Sequence, residues 1–174
     1  MNIRQEKGSA VLDVIIAAAM IVFVLLPVFS ATVEKFIFFE KARLIKDAVD
    51  MTNISVYNAL VANSLGKANI DMSHPEALKI FEELLCANLG LEEGLVPGAD
   101  SIAENRVEVS SLEMYMGTFP VECPDGTIIE KPSVHSCVKV PVRPSLYRTI
   151  VLRMLGKDYI NIEVHVDSEI PVNN

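Results

Sequence analysis

Three cysteines, Cys86, Cys123 and Cys137, are the side chains of this sequence best suited to covalent chemistry. Cys123 and Cys137 flank a segment that begins with the turn signal Pro124-Asp125-Gly126. A disulfide between them would close a loop of 15 residues and stabilise the fold by about 3 kcal/mol on the chain-entropy model. We expect this disulfide to form outside the cytoplasm, and we expect Cys86, which follows two leucines, to be a buried thiol. The alternative is that all three cysteines are reduced and only fill space.

A zinc site made of Cys123, His135 and Cys137 is a second possible use of the same residues. Structural zinc ligands usually occur in pairs with about two to four residues between them, completed by a fourth ligand. One residue separates His135 from Cys137, and His74 and His165 are distant in sequence. We therefore expect no metal and no cofactor.

Enzyme motifs are absent from the sequence. It contains no Gly-x-Ser-x-Gly, no glycine-rich phosphate loop and no His-Glu-x-x-His. The acidic pairs Glu82-Glu83 and Glu92-Glu93 are more simply explained as solvated faces. We expect a protein that is not an enzyme.

Composition excludes two further classes of protein. Hydrophobic residues make up 51% of the 174 residues and charged residues 22%, so the chain is not intrinsically disordered. Fifteen Lys and Arg against 23 Asp and Glu give a net charge of −8, and there is no Trp. Nucleic-acid binding needs clustered cations and stacking aromatics, so we expect no nucleic-acid partner.

The hydrophobic excess lies near the N-terminus, where Val14–Val33 runs for twenty residues without a charge. As a helix this segment would span ~30 Å, the thickness of the hydrocarbon core of a bilayer. A buried core helix is one alternative. A cleavable secretory signal is the other. Its apolar region is roughly 7–15 residues long and ends at a small-x-small site. Here the run is longer, and Phe29 occupies a position of that site that requires a small residue. We predict one uncleaved membrane helix.

The flanking charges and the cysteines disagree about orientation. Arg4 and Lys7 precede the span, and a larger group of cations follows it, which by the positive-inside rule favours a cytoplasmic C-terminal side. The predicted disulfide favours an external one. We adopt the external orientation. The cations after the span are Lys35, Lys41, Arg43 and Lys46.

Helical periodicity continues beyond the apolar segment. One apolar face recurs at steps of three and four residues between Phe38 and Leu60. No Gly or Pro occurs from Val28 to Leu65, and Gly66 then ends the pattern. We predict one helix over about Val11–Leu65, with a kink or local melting at Pro27, which lacks a backbone donor.

The rest of the chain predicts a small α+β domain. After a linker at Lys67–Met72, a second helix is capped by Ser73 and closed by Gly90, and Leu91–Glu104 is expected to be loop. Ser145–Leu155 suits a helix or a strand, and we favour helix. Alternation predicts three strands of an antiparallel sheet, at Arg106–Met116, Ser136–Val142 and Tyr159–Val166.

Asp13 has no evident role if the apolar helix serves only as a membrane anchor. It stands at the start of the apolar run, where an ionised carboxylate is costly in lipid and requires a partner. The alternative is a boundary residue at headgroup depth. A short basic leader ending in Gly8 precedes it, and Ser9 to Leu12 intervene.

This pattern resembles the prepilin motif of type IV filament systems, and the whole chain looks most like the TadE-like minor pilins of tight-adherence pili. The resemblance implies that a prepilin peptidase cuts between Gly8 and Ser9, and that Asp13 takes the role of the conserved acid in assembly with other pilin subunits. The chain departs from the pattern in having Asp instead of Glu, Val14 instead of an aromatic residue, and a late Pro27.

The resemblance also implies a division of the chain. Residues 1–8 would be the leader, 9–33 the membrane and assembly half of the long helix, 34–66 its amphipathic half, and 67–174 an outer α+β domain. The expected protein is a single-pass cytoplasmic membrane protein with an external C-terminal domain that enters a surface pilus for adhesion or secretion. The alternative function is an anchored binding or sensor domain that never polymerises and needs no processing at Gly8.

Overall fold

The computed structural model describes residues 4–64, 74–144, 149, 152 and 156–170. An extended N-terminal helical segment is followed by a shorter helix and antiparallel sheets, which confirms the predicted α+β class. The chain divides into two compact units, Met1–Phe39 and Glu40–Asn174. The second unit therefore contains much of the segment that we predicted as the amphipathic half of the helix.

The N-terminal helical segment is continuous in the described chain, with a change of helix type inside it. Helix α1 covers Arg4–Met20, a π-helical turn covers Ile21–Leu25, and helix α2 covers Leu26–Ser64. Within it, Ala10–Val61 is long and apolar enough to cross a membrane.

The π-helical turn is explained by Pro27. A proline inside a helix has no N–H to donate, and its ring clashes with the carbonyl four residues earlier, here that of Phe23. Widening the helix just before the proline accommodates both effects, and the N–H of Leu26 donates to the carbonyl of Ile21, five residues back. We predicted a kink or local melting at Pro27; the structure instead has a π-helical turn just before it, with Pro27 itself in helix α2.

Helix α3 covers His74–Leu89 and ends as predicted at Gly90, whose φ of +64° lies in the left-handed region. A second glycine fits closely against it, because the N–H of Gly98 donates to the carbonyl of Gly90 at 3.1 Å. A Cβ at position 98 would lie 2.6 Å from that carbonyl oxygen. The predicted linker at 67–72 and the predicted cap Ser73 lie outside the described residues.

Seven strands form three antiparallel sheets in the described chain. The three predicted strands are present as β3, β6 and β7, and they pair in the order β3-β6-β7. The prediction of Leu91–Glu104 as loop is wrong for the two short strands β1 and β2, and the pair β4 and β5 was not predicted. Ser145–Leu155 lies outside the described residues apart from Thr149 and Leu152. The strands are β1 Leu91–Glu92, β2 Val96–Pro97, β3 Glu108–Tyr115, β4 Val121–Glu122, β5 Ile128–Ile129, β6 Ser133–Val142 and β7 Ile160–Glu169.

One face of the three-stranded sheet forms the core of the second unit. Because side chains alternate along a strand, every second residue of β6 and β7 lies on this core face. Apolar side chains of α2 and α3 are buried as well, among them Ile45, Val49, Phe81 and Leu85. The buried residues of the core face include Val134, Val138, Val140, Val142, Val164 and Val166.

A buried amide attaches α2 to this sheet. The Nδ2 group of Asn53, a fully buried residue, donates to the carbonyls of Val134 and Val166 at 3.3 Å and to Oγ of Ser168 at 3.0 Å. The Ser168 hydroxyl in turn donates to Oδ1 of Asp50. Buried polar groups are stabilising only when they are bonded, so this network fixes which face of α2 meets strands β6 and β7.

Replacing Asn53 by Ala should lower the free energy of unfolding by about 1–3 kcal/mol, because the buried groups that it bonds lose their donor. Guanidinium unfolding of the full-length protein in detergent, followed by circular dichroism, measures this change. Asn58→Ala is the matched control, since Asn58 is exposed on the same helix. Equal stability of the two variants would show that the amide does not hold the helix to the sheet.

Candidate functional site

The N-terminal unit presents apolar side chains without cover. Every residue from position 10 to position 29 is exposed, including Phe23 at 78% and Phe29 at 68%. Fully burying one Val, Leu, Ile or Phe side chain is worth about 1.5–3 kcal/mol, so leaving this whole surface in water is strongly unfavourable. The surface is a candidate site for contact with lipid or with other apolar helices.

Asp13 lies within this surface. Its side chain is exposed in α1, and it is the only charged residue between Ala10 and Val33. The backbone of Gly8 and Ser9 lies in the same helix. Ser9 and Asp13 are four residues apart, so they occupy one helix face with an axial separation of about 6 Å.

The predicted disulfide between Cys123 and Cys137 is absent from the structure, where all three cysteines are free thiols. The reason is that each of the two sulfurs faces other partners. Cys123, in the turn between β4 and β5, has its sulfur beside His135, and the sulfur of Cys137 faces β7. Cys86, which we expected to be a buried thiol, is partly exposed, and its sulfur lies 3.2 Å from the carbonyl oxygen of Glu92.

The second face of the three-stranded sheet carries these polar partners. We call it the polar sheet face, defined by His135 and Cys137 on β6 and by Glu163, His165 and Asp167 on β7. The antiparallel register places His135 opposite Asp167 and Cys137 opposite His165. Two clusters of potential metal ligands result, one with Cys123 added from the β4–β5 turn.

The first cluster contains Cys123, His135 and Asp167. The Nδ1 atom of His135 is 2.8 Å from Oδ1 of Asp167 and 2.8 Å from the sulfur of Cys123. His135 is fully buried, and the Asp167 side chain is 25% exposed. Burial raises the pKa of the Cys123 thiol to about 12, so this thiol is protonated at neutral pH and is not an activated nucleophile.

The first cluster is not arranged as a catalytic triad. In a triad the acid and the nucleophile bond different nitrogens of the histidine, so that a proton can cross the ring. Here the shortest contacts of Cys123 and Asp167 both involve Nδ1 of His135, and Nε2 is 3.7 Å from the sulfur.

The second cluster contains Cys137, Glu163 and His165. The sulfur of Cys137 is 3.4 Å from Oε1 of Glu163 and 3.6 Å from Nε2 of His165, and these last two atoms are 3.7 Å apart. Burial and the neighbouring Glu163 carboxylate raise the pKa of the Cys137 thiol. Cys137 is buried, whereas the Glu163 and His165 side chains are 46% and 39% exposed.

From the sequence we treated Cys123, His135 and Cys137 as one possible ligand set, but the fold distributes them between two clusters. We did not predict Glu163 and Asp167 as ligands, and we set His165 aside as distant in sequence. The sequence did contain a signal for these ligands. They stand at every second position, and side chains at that spacing lie on one face of a strand. Ligands on two paired strands follow that spacing and not the wider spacing of zinc fingers.

Comparisons of the chain with protein-family models, with curated proteins and with solved structures find no match in any of the three.

Proposed function

We propose that this chain is a minor pilin or pseudopilin of a tight-adherence-type pilus. A prepilin peptidase removes residues 1–8, and the N-terminal helix holds the protein in the cytoplasmic membrane until it enters the filament or primes it. The observation that carries the proposal is the uncovered apolar helix with one carboxylate, Asp13, close to its start.

Such a surface can be covered in two environments. In a bilayer, lipid covers the apolar side chains, and the helix satisfies its own backbone hydrogen bonds. In a filament, equivalent helices of neighbouring subunits cover the same side chains. Contacts between copies that are head-to-tail and do not close produce fibres instead of rings, so one apolar segment serves as anchor and then as filament core.

Asp13 has a specific role in this assembly. Cleavage after Gly8 gives Ser9 a free ammonium group, which lies one helical turn before Asp13. A neighbouring subunit displaced by about 6 Å along the helix axis brings its ammonium level with this carboxylate. The pair then satisfies two charges that the apolar core would otherwise penalise.

The second unit supports the anchored part of the proposal. Its helical residues from position 40 onward pack on the sheet through the Asn53 network, whereas those from 10 to 29 have no such cover. The later part of the helical segment therefore belongs to a folded domain, and the earlier part is apolar and uncovered. We expect this combination in a subunit that is held in a membrane.

Processing in the native host should remove residues 1–8 from the wild-type chain, and Gly8→Leu should prevent the cut, because the motif requires a small residue before the cleaved bond. Intact-mass analysis distinguishes a chain beginning at Ser9 from one beginning at Met1. Ser9→Ala is the control and should still be cut. A wild-type chain that retains Met1, or begins well after the apolar segment, contradicts the pilin proposal.

Asp13→Ala should insert into the membrane at least as well as wild type, since removing a carboxylate from an apolar helix favours insertion. It should enter surface filaments poorly, because leaving one member of a buried ion pair without its partner costs about 3–5 kcal/mol. The measurement compares the membrane pool with the fraction sheared from the cell surface.

Two further variants test the charge itself. Asp13→Glu keeps the carboxylate and should impair assembly less than Asp13→Asn, which keeps the shape. If Asp13→Ala reaches the sheared fraction as efficiently as wild type, Asp13 is a boundary residue, and the chain is better described as an anchored domain that does not polymerise.

A further inference from the structure

The second cluster of the polar sheet face has the geometry of a metal site. Cys137 and His165 are directly opposed across the β6–β7 pair, and Glu163 lies two residues before His165 on the same face. The backbone pairing of two ten-residue strands therefore determines the positions of all three side chains. Ligands on paired strands are held more rigidly than ligands on loops.

The three ligand atoms form a nearly equilateral triangle, with edges of 3.4, 3.6 and 3.7 Å. The His165 nitrogen and the Glu163 oxygen are too far apart to bond one another directly. The centre of such a triangle is about 2.1 Å from each corner, while zinc bonds to nitrogen, oxygen and sulfur ligands are about 2.0–2.3 Å long. The three atoms are therefore spaced as the ligands of a single ion would be, with the hydrogen bond from the Cys137 thiol to Glu163 replaced by bonds to the ion.

We propose that Cys137, Glu163 and His165 bind one Zn²⁺ ion. Thiolate, imidazole and carboxylate together suit zinc, because a soft sulfur ligand disfavours Mg²⁺ and Ca²⁺. Three protein ligands leave a fourth position for water, as in zinc sites that are open. Solvent reaches the site through the half-exposed Glu163 and His165, while Cys137 forms its buried floor.

The first cluster is a poorer site because its atoms already bond one another. The separation of 2.8 Å between His135 Nδ1 and Asp167 Oδ1 is that of a direct hydrogen bond. The sulfur of Cys123 approaches the same nitrogen at 2.8 Å. An ion would have to separate these groups widely. In the second cluster the only contacts to give way are longer, namely the hydrogen bond of 3.4 Å from the Cys137 thiol to Oε1 of Glu163 and the approach of the thiol to His165 at 3.6 Å.

Lys139 lies beside the proposed site and influences its affinity. Its Nζ atom is 3.8 Å from Oε1 of Glu163, the same oxygen that faces Cys137 and His165. A lysine ammonium at this distance attracts the carboxylate and repels a divalent cation. Removing the ammonium group of Lys139 should therefore strengthen zinc binding. A purely structural role of the cluster does not produce this effect.

The experiment titrates Zn²⁺ and Co²⁺ into the full-length protein, purified metal-free in detergent with its thiols kept reduced. We expect one ion per chain, and with Co²⁺ an absorption band from charge transfer between thiolate and metal. Cys137→Ser should abolish that band. His165→Ala and Glu163→Gln change exposed side chains, so their folding is not in question, and each should weaken binding by roughly tenfold or more.

Cys123→Ser and Lys139→Met complete the set. Cys123→Ser should leave stoichiometry and the Co²⁺ band unchanged, and Lys139→Met should bind Zn²⁺ more tightly than wild type. Absence of stoichiometric binding in the reduced wild-type protein overturns the proposal. So does a band that persists in Cys137→Ser, or one that is lost in Cys123→Ser, which would assign the ion to the first cluster.

Discussion

The apolar helix surface before position 30 is strongly unfavourable in water, and the role proposed for the N-terminal unit follows from this. Twenty consecutive uncharged residues, Val14–Val33, leave no polar stripe to face solvent, and the described residues of the chain provide no cover for positions 10 to 29. In the proposed function, lipid and then the equivalent helices of other subunits cover this surface. The same constraint gives Asp13 its significance, because a carboxylate at the edge of such a surface needs a partner wherever the surface is buried.

The second unit, in contrast to the exposed N-terminal helix, buries its apolar side chains in a core of its own. Its three-stranded sheet uses its two faces differently. The core face packs valines among apolar helix residues and is tied to α2 by Asn53. The polar sheet face collects thiols, imidazoles and carboxylates, partly covered from the β4–β5 turn by Cys123. This separation lets one small sheet provide both a core and a chemically capable surface.

Local patterns predicted the main elements. Alternation located β3, β6 and β7, and the glycine after Leu89 located the end of α3. The strand pairs β1–β2 and β4–β5 could not be found in this way, because two residues are too few to show a period. The π-helical turn was not predicted. The sequence suggested a kink or local melting at Pro27, since it does not determine which change of helix geometry relieves the clash.

The cysteine prediction failed for a different reason. Closeness in sequence suggested that Cys123 and Cys137 pair, but the register of β6 against β7 gives Cys137 the neighbours His165 and Glu163. Register is a long-range property, determined here by which face of each strand meets the core. The two ligand clusters could therefore be recognised only after the strands were paired, although each residue was visible in the sequence.

A zero-length cross-link between Asp13 and the N-terminal amino group of a neighbouring subunit would show whether the apolar helix packs in a filament as proposed. A carbodiimide joins an amine to a carboxylate in contact with it, and the exposed ion pair between Lys131 and Glu169, 2.9 Å apart, is an internal control. In material sheared from the native host, we expect cross-linked peptides that join Asp13 to the N-terminal amino group of a neighbouring pilin subunit, whether that neighbour is another copy of this chain or a different pilin. Formation of the Lys131–Glu169 link without any link between Asp13 and the N-terminal amino group of another subunit would contradict the proposed assembly.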